Sequence, residues 1–254
     1  MHLRKVAVDP AGYPVRDRYP FNLPALGSPL SLEFPSAVTF FVGENGTGKS
    51  TLLKAICLAA GIHIWRDEGW QRSSWNPHEE RLCRHLTLTW TAGPVTGSWF
   101  GSDIFRHFAQ SLDEWAAADP AMLTHFGGRS LVTLSHGQSI LTFFRNRYRL
   151  RGLYLLDEPE TALSPRSQRE LAALLGEMGG AGHAQFIVAT HSPLLLAAPG
   201  AAVLSFDQLP VGWVPWKETE LYRTYRRFFL EREAPPAPPP PRSPGQGDGT
   251  PPAQ

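Results

Sequence analysis

The apolar residues of this chain fall into two alternating patterns. Short unbroken runs rich in β-branched and aromatic side chains, at residues 36–42, 152–156 and 184–190, predict strands buried on both faces. Between and after them, apolar residues recur at helical spacing. Residues 50–60 predict a helix stopped at Gly61, and residues 103–118 a helix stopped near Pro120. Further helices are expected from Ser135 to about Asn146, over 164–178 and over 218–231, the last one amphipathic. Residues 86–90 read as another strand, and 201–206 and 212–216 as edge strands. Buried strands alternating with helices imply an α/β fold, with a mostly parallel central sheet flanked by helices. The less regular stretch of about 62–130, rich in Trp, His and Gly, is expected to form an insertion.

Composition adds limits. Residues 234–254 are nearly all Pro, Gly and small polar side chains, which cannot bury enough apolar surface to become ordered. They predict a disordered tail after one domain at 1–233. Two readings of the tail stay open: an unselected appendage, or a ligand for a module that binds extended Pro-rich chains. The formal net charge of +1 gives no overall field toward nucleic acid or a membrane. Cys57 and Cys83 make neither a disulfide framework nor a zinc pattern, so a cytoplasmic protein is expected. No run approaches the roughly 18 apolar residues that span a bilayer, so any work at a membrane requires another chain. The basic stretch with Arg145, Arg147, Arg149 and Arg151 reads either as a nucleic-acid contact or as the solvated edge of a strand.

Three strand ends carry candidate chemistry. After the first buried strand comes Gly43-Glu44-Asn45-Gly46-Thr47-Gly48-Lys49-Ser50, followed by Thr51 and a helix. Glycines at these spacings let backbone N–H groups turn inward around a β-phosphate, and the helix directs its positive end at the same anion. Lys49 is placed to reach the β- and γ-phosphates of ATP, and the Ser50 hydroxyl to bind Mg²⁺. The second strand ends in Asp157 and Glu158. Asp157 is the candidate to hold Mg²⁺ opposite Ser50, and Glu158 the candidate to polarise the attacking water. After the third strand, His191 is placed to hydrogen-bond a γ-phosphate. Ser164 with Pro165 reads as a helix N-cap.

The ordered set GENGTGKS, LSHGQ, LYLLDEPE, TALSP and ATHSP resembles the ABC-type P-loop ATPases. It is most similar to small stand-alone bacterial ATPases of the AAA family with an SHGQ or SHGE signature, related to the RecF and SMC type. The likeness covers about residues 19–230. It implies a P-loop fold of ABC type with a smaller antiparallel and helical lobe, ATP and Mg²⁺ as ligands, and an ATP-dependent homodimer. In such a dimer Ser135, His136, Gly137 and Gln138 would bind the nucleotide held by the other protomer, with His136 replacing the usual glycine. The Ser164 loop would touch the partner's site.

The resemblance also implies an aromatic stacked on adenine, Tyr19 with Phe21 in reserve. A glutamine that couples Mg²⁺ to a partner in transporter ATPases has no clear equivalent; Asp103 falls at that place, and Gln71 is a weaker candidate. The load of the engine stays open: a transporter, a DNA-maintenance or defence assembly, or a slow ATP-dependent switch acting through an unidentified protein partner.

Overall fold

The computed structural model describes residues 1–65 and 76–233. Expectations for Gln71 and for the 234–254 tail lie outside the described residues. In chain order the elements are β1 (Leu3–Val8), β2 (Leu30–Glu33), β3 (Val38–Val42), α1 (Lys49–Ala59), β4 (Leu86–Trp90), β5 (Gly97–Gly101) and α2 (Phe105–Ala118). There follow α3 (His136–Arg147), β6 (Gly152–Asp157), α4 (Pro165–Gly180), β7 (Ala184–Ala189), β8 (Ala202–Ser205), β9 (Gly212–Val214) and α5 (Glu220–Glu233).

Six strands form the central sheet in the order β5-β6-β7-β3-β8-β9. Every neighbouring pair is parallel except β8 and β9. The mostly parallel α/β architecture is therefore present. A second, antiparallel sheet has the order β2-β1-β4.

Alternate side chains of the central strands enter two separate cores. Phe40, Tyr154, Leu156, Phe186 and Val188 pack with Phe143 and Phe144 of α3 and with Leu171 and Leu175 of α4. Phe41, Leu153, Leu155 and Ile187 point the other way, onto Leu52, Leu53 and Ile56 of α1 and onto Val6 and Leu32 of the small sheet. With both faces covered, the strand interiors read as continuous apolar runs. Burying each of these side chains stabilises the fold by roughly 1.5–3 kcal/mol.

Several elements differ from expectation. β8 is an interior strand, because β9 turns back and covers its outer side. β1, β2 and β5 are additional. β1 pairs with β4 through a register shift between Leu3 and Lys5, which breaks the alternation a strand would show. β5 is five residues bounded by glycines. A Cβ at Gly97 would collide with the Leu153 carbonyl oxygen, so the close approach of β5 to β6 requires glycine there. α5 has no buried residue, and Phe228, Phe229 and Leu230 on it are exposed.

Candidate active site

One line of paired Cα positions crosses the sheet: Gly101 with Asp157, Asp157 with Ala189, Ala189 with Phe41, and Phe41 with Leu204. Immediately beyond this line, at the carboxyl ends of the parallel strands, lie Asp103, Glu158, His191, the glycine loop and Asp207. Open parallel sheets bind ligands in this crevice, where strand ends leave backbone groups free.

The glycine loop leaves β3 and enters α1. Gly43, Gly46 and Gly48 have φ of 145°, 80° and 105°, conformations that side-chain-bearing residues rarely adopt. Lys49, 5% exposed, folds back across the loop. Its Nζ donates to the carbonyl oxygens of Gly43 and Glu44 at 2.6 and 2.9 Å. The Thr47 hydroxyl donates to the Glu44 carbonyl at 2.8 Å. Asn45 is exposed at the loop tip. Burial pulls the Lys49 ammonium below the usual lysine range, against the opposing pull of Glu158, Asp207, Asp157 and Glu44.

The Ser50 hydroxyl donates to Asp157 Oδ1 at 2.7 Å. Burial raises the Asp157 carboxyl to about 6, helped by the nearby charges of Glu158 and Asp103 and opposed by the Ser50 hydrogen bond and by Lys49. A hydroxyl and a crowded carboxylate are oxygen donors that suit Mg²⁺, which is commonly held by one or two such groups together with substrate phosphates. Among the described residues there is no cluster of three or more His, Cys, Asp or Glu side chains able to hold a metal on its own.

Glu158 follows Asp157 with φ of 47°, the single non-glycine residue at positive φ among those described. Its N–H donates to the Ala189 carbonyl at 2.9 Å, so the turn is pinned to β7. Strain of this kind gathers at functional sites. Glu158 Oε1 lies 3.8 Å from His191 Nε2. That nitrogen is buried and has no hydrogen-bond partner among the described residues. Burial, and next the Lys49 charge, hold His191 below the usual histidine range. A buried nitrogen without a partner, beside a lysine and a phosphate-type loop, is placed to engage a ligand oxygen.

Ser135 caps α3. Its oxygen accepts from the Gln138 N–H at 3.4 Å, and its own N–H donates to Gln138 Oε1 at 3.3 Å, a reciprocal capping box. Ser135, His136 and Gln138 are exposed. The His136 ring lies 6.1 Å from the Phe105 ring of α2, so its side chain has a place to rest on that helix. Gly137 backs onto the segment after Glu158: a Cβ there would stand 3.3 Å from the Ala162 carbonyl oxygen. Ser164 caps α4 by accepting from the Ser167 N–H at 3.2 Å.

Tyr19 is 40% exposed, and its hydroxyl lies 3.0 Å from Thr51 Oγ1 at the start of α1. Phe21 is a different case. It is 2% exposed and packed among the rings of Tyr13, His78 and His85, so it is a core residue with no face for a base. Of the basic stretch, Arg145 forms an ion pair with Glu170 on α4. Asp103 stands close enough to Asp157 to influence its charge.

Two acidic groups enter the site that the sequence analysis gave no role. Asp207, beyond β8, accepts from the Glu44 N–H at 2.8 Å and so braces the glycine loop. Glu160 Oε1 accepts from the His191 N–H at 2.6 Å, and burial raises its carboxyl above the usual range. Proximity to the loop or to the histidine is set by strand order, which local sequence does not reveal.

Comparison with known proteins bears on the family and the fold. Residues 130–197 match the family described as "AAA domain, putative AbiEii toxin, Type IV TA system", and residues 22–79 match one described as "AAA domain". The chain is 32% identical over 211 residues to the hemin import ATP-binding protein HmuV of Bradyrhizobium diazoefficiens, covering 74% of this chain and 76% of that protein. It is 32% identical over 184 residues to the cytochrome c biogenesis ATP-binding export protein CcmA of Paramagnetospirillum magneticum, covering 67% and 81%. Its fold is similar to that of cbiO1 from Clostridium perfringens, part of the ABC transporter complex cbiONQ, with a TM-score of 0.51 at 17% identity over 90% of this chain and 95% of that one. Among the described residues no helix is long and apolar enough to cross a membrane. The chain therefore belongs to the ABC-type P-loop ATPases and is an ATP-hydrolysing enzyme of that family.

Proposed function

We propose that residues 1–233 form an ATPase domain that closes on ATP as a head-to-tail homodimer in the cytoplasm. Each nucleotide is held by one protomer's glycine loop, residues 43–51, and by the partner's signature, residues 135–138. The observation that carries this reading is the division of the site. Lys49, Ser50, Asp157, Glu158 and His191 converge at one end of the sheet, while Ser135, His136 and Gln138 are exposed at the start of another helix. A helix N-terminus presented outward suits an anion supplied from outside the protomer.

Ser50 and Asp157 would hold Mg²⁺, which would neutralise charge on the nucleotide's phosphates. Lys49 exchanges its two loop carbonyls for phosphate oxygens. Glu158 accepts a hydrogen bond from the attacking water and orients it. His191 donates from its partnerless Nε2 to the γ-phosphate. Tyr19 stacks on the adenine. Catalysis is then mostly positioning and electrostatics. Replacing Glu158 by Gln keeps shape and binding while removing the water's acceptor. Turnover is expected to fall on the order of 10²-fold or more with ATP affinity preserved. Hydrolysis near the wild-type rate would remove Glu158 from this role.

A second reading is supported by the relatives named for import and export: the chain is the ATP-binding subunit of a transporter. Co-purification of the native protein with a membrane protein would favour it.

A further inference from the structure

The segment after Glu158 is latched to the loop carrying His191 at two points. The first is the Glu160 carboxylate on the His191 N–H. The second is the Gln168 side chain, in the first turn of α4. Its Nε2 donates to the Leu163 carbonyl at 2.9 Å, and its Oε1 accepts from the Ser192 hydroxyl at 2.6 Å. The amide thus spans two loops with both its ends engaged. Ser192 is 4% exposed, and its oxygen also accepts from the N–H groups of Leu194 and Leu195.

α4 does not need this amide to begin. Ser164 already caps it, and Pro165 occupies its first position. A half-buried amide also brings a desolvation cost that its two hydrogen bonds roughly offset, so its contribution is to geometry more than to stability. On its other side the latched segment supports the signature, through the close approach of Gly137 to the Ala162 carbonyl.

We propose that Gln168 is a positioning residue for hydrolysis, joining the 161–164 loop to the histidine loop so that the two move as one body. This rests on the dimer reading above. There, the 161–164 loop and signature meet the partner's nucleotide while His191 meets the protomer's own. Gln168 then links the state of one ATP site to the competence of the other. Neither hydrogen bond touches nucleotide, so the residue acts through His191 and Leu163.

The test uses the full chain with Gln168→Met, which keeps length and packing but removes both hydrogen bonds. Gln168→Glu is the second variant. It keeps an oxygen for Ser192 and loses the donor to Leu163. The expected result for Met is ATP affinity within about twofold of wild type and kcat lower by about tenfold, since small displacements of catalytic groups are costly. The Hill coefficient for ATP hydrolysis should fall from above one to about one, the uncoupled limit. Gln168→Glu should lie between, and it carries the same reading if the Met variant does not fold. Unchanged kcat and Hill coefficient in either variant would overturn the proposal. So would a wild-type Hill coefficient of about one, or a loss explained wholly by a lower Tm and weaker ATP binding. His191→Ala, measured alongside, separates the two layers. If it turns over normally, the underlying reading of the site fails. If it is impaired while the Gln168 variants are not, the tether alone fails.

Discussion

The Ser50 hydroxyl donates a 2.7 Å hydrogen bond to the Asp157 carboxylate, across 107 residues of chain. It joins the first turn of α1 to the end of β6. The carboxylate is held among other acids, and burial with their charge raises it to about 6. That single contact brings together the two groups assigned to the cation.

The raised carboxyl makes Asp157 a cost to the nucleotide-free fold. Between the usual carboxylate range and about 6 the native chain keeps a proton that the unfolded chain releases. Raising the pH through that window therefore removes stability, and the loss is complete above about 6. Asp157→Asn is expected to raise stability at neutral pH by on the order of 2 kcal/mol while Mg²⁺-dependent hydrolysis collapses. Thermal melts of both proteins at about pH 5 and about pH 7.5 should show the gap widening with pH. An equal gap at both would contradict the assignment.

The same proton competes with the cation. Below about 6, binding Mg²⁺ to the nucleotide-free site requires Asp157 to ionise, so the apparent Mg²⁺ affinity should fall by about tenfold per pH unit there. Above that value it should level off. Calorimetric titration of the nucleotide-free chain with Mg²⁺ at a series of pH values reads this.

Tyr19 presents an exposed ring beside Thr51. Tyr19→Ala should weaken ATP binding by about tenfold or more, the scale of one base stacked on an aromatic ring. Tyr19→Phe keeps the ring and should bind nearly as wild type. Binding of a fluorescent ATP analogue distinguishes the two, and equal losses would point to the hydroxyl contact instead of stacking.

Asp207 braces the glycine loop through the Glu44 N–H but also brings negative charge toward the phosphates. Asp207→Asn retains an acceptor without charge and should bind ATP as well as wild type or better. Asp207→Ala loses the brace and should bind several-fold more weakly, on the scale of about 1 kcal/mol per hydrogen bond. Calorimetric titration with ATP orders the three. An Ala variant that binds best would show that charge outweighs bracing.

What the sequence makes legible here is what is local. The glycine loop, Asp157, Glu158 and His191 each sit at the end of an apolar run, so strand periodicity and one short motif locate them together. Ser135 and Ser164 carry helix-cap chemistry that is equally local. Asp207, Glu160 and Gln168 escape such reading because their partners arrive through strand order and loop packing. β5 escapes it because its glycines serve close approach to β6 and not turns. Phe21 and Tyr19 illustrate the limit: two residues apart, one ring is buried in the core and the other faces outward.

The central claim is that ATP is shared between two copies through Ser135 and its neighbours. The most direct measurement is the mass of the Glu158→Gln chain in solution by light scattering, with and without Mg²⁺ and ATP. The account predicts a monomer that doubles in mass only with both present, and a Ser135→Arg, Glu158→Gln chain that binds ATP yet stays monomeric. An unchanged mass in the presence of demonstrated ATP binding would contradict it.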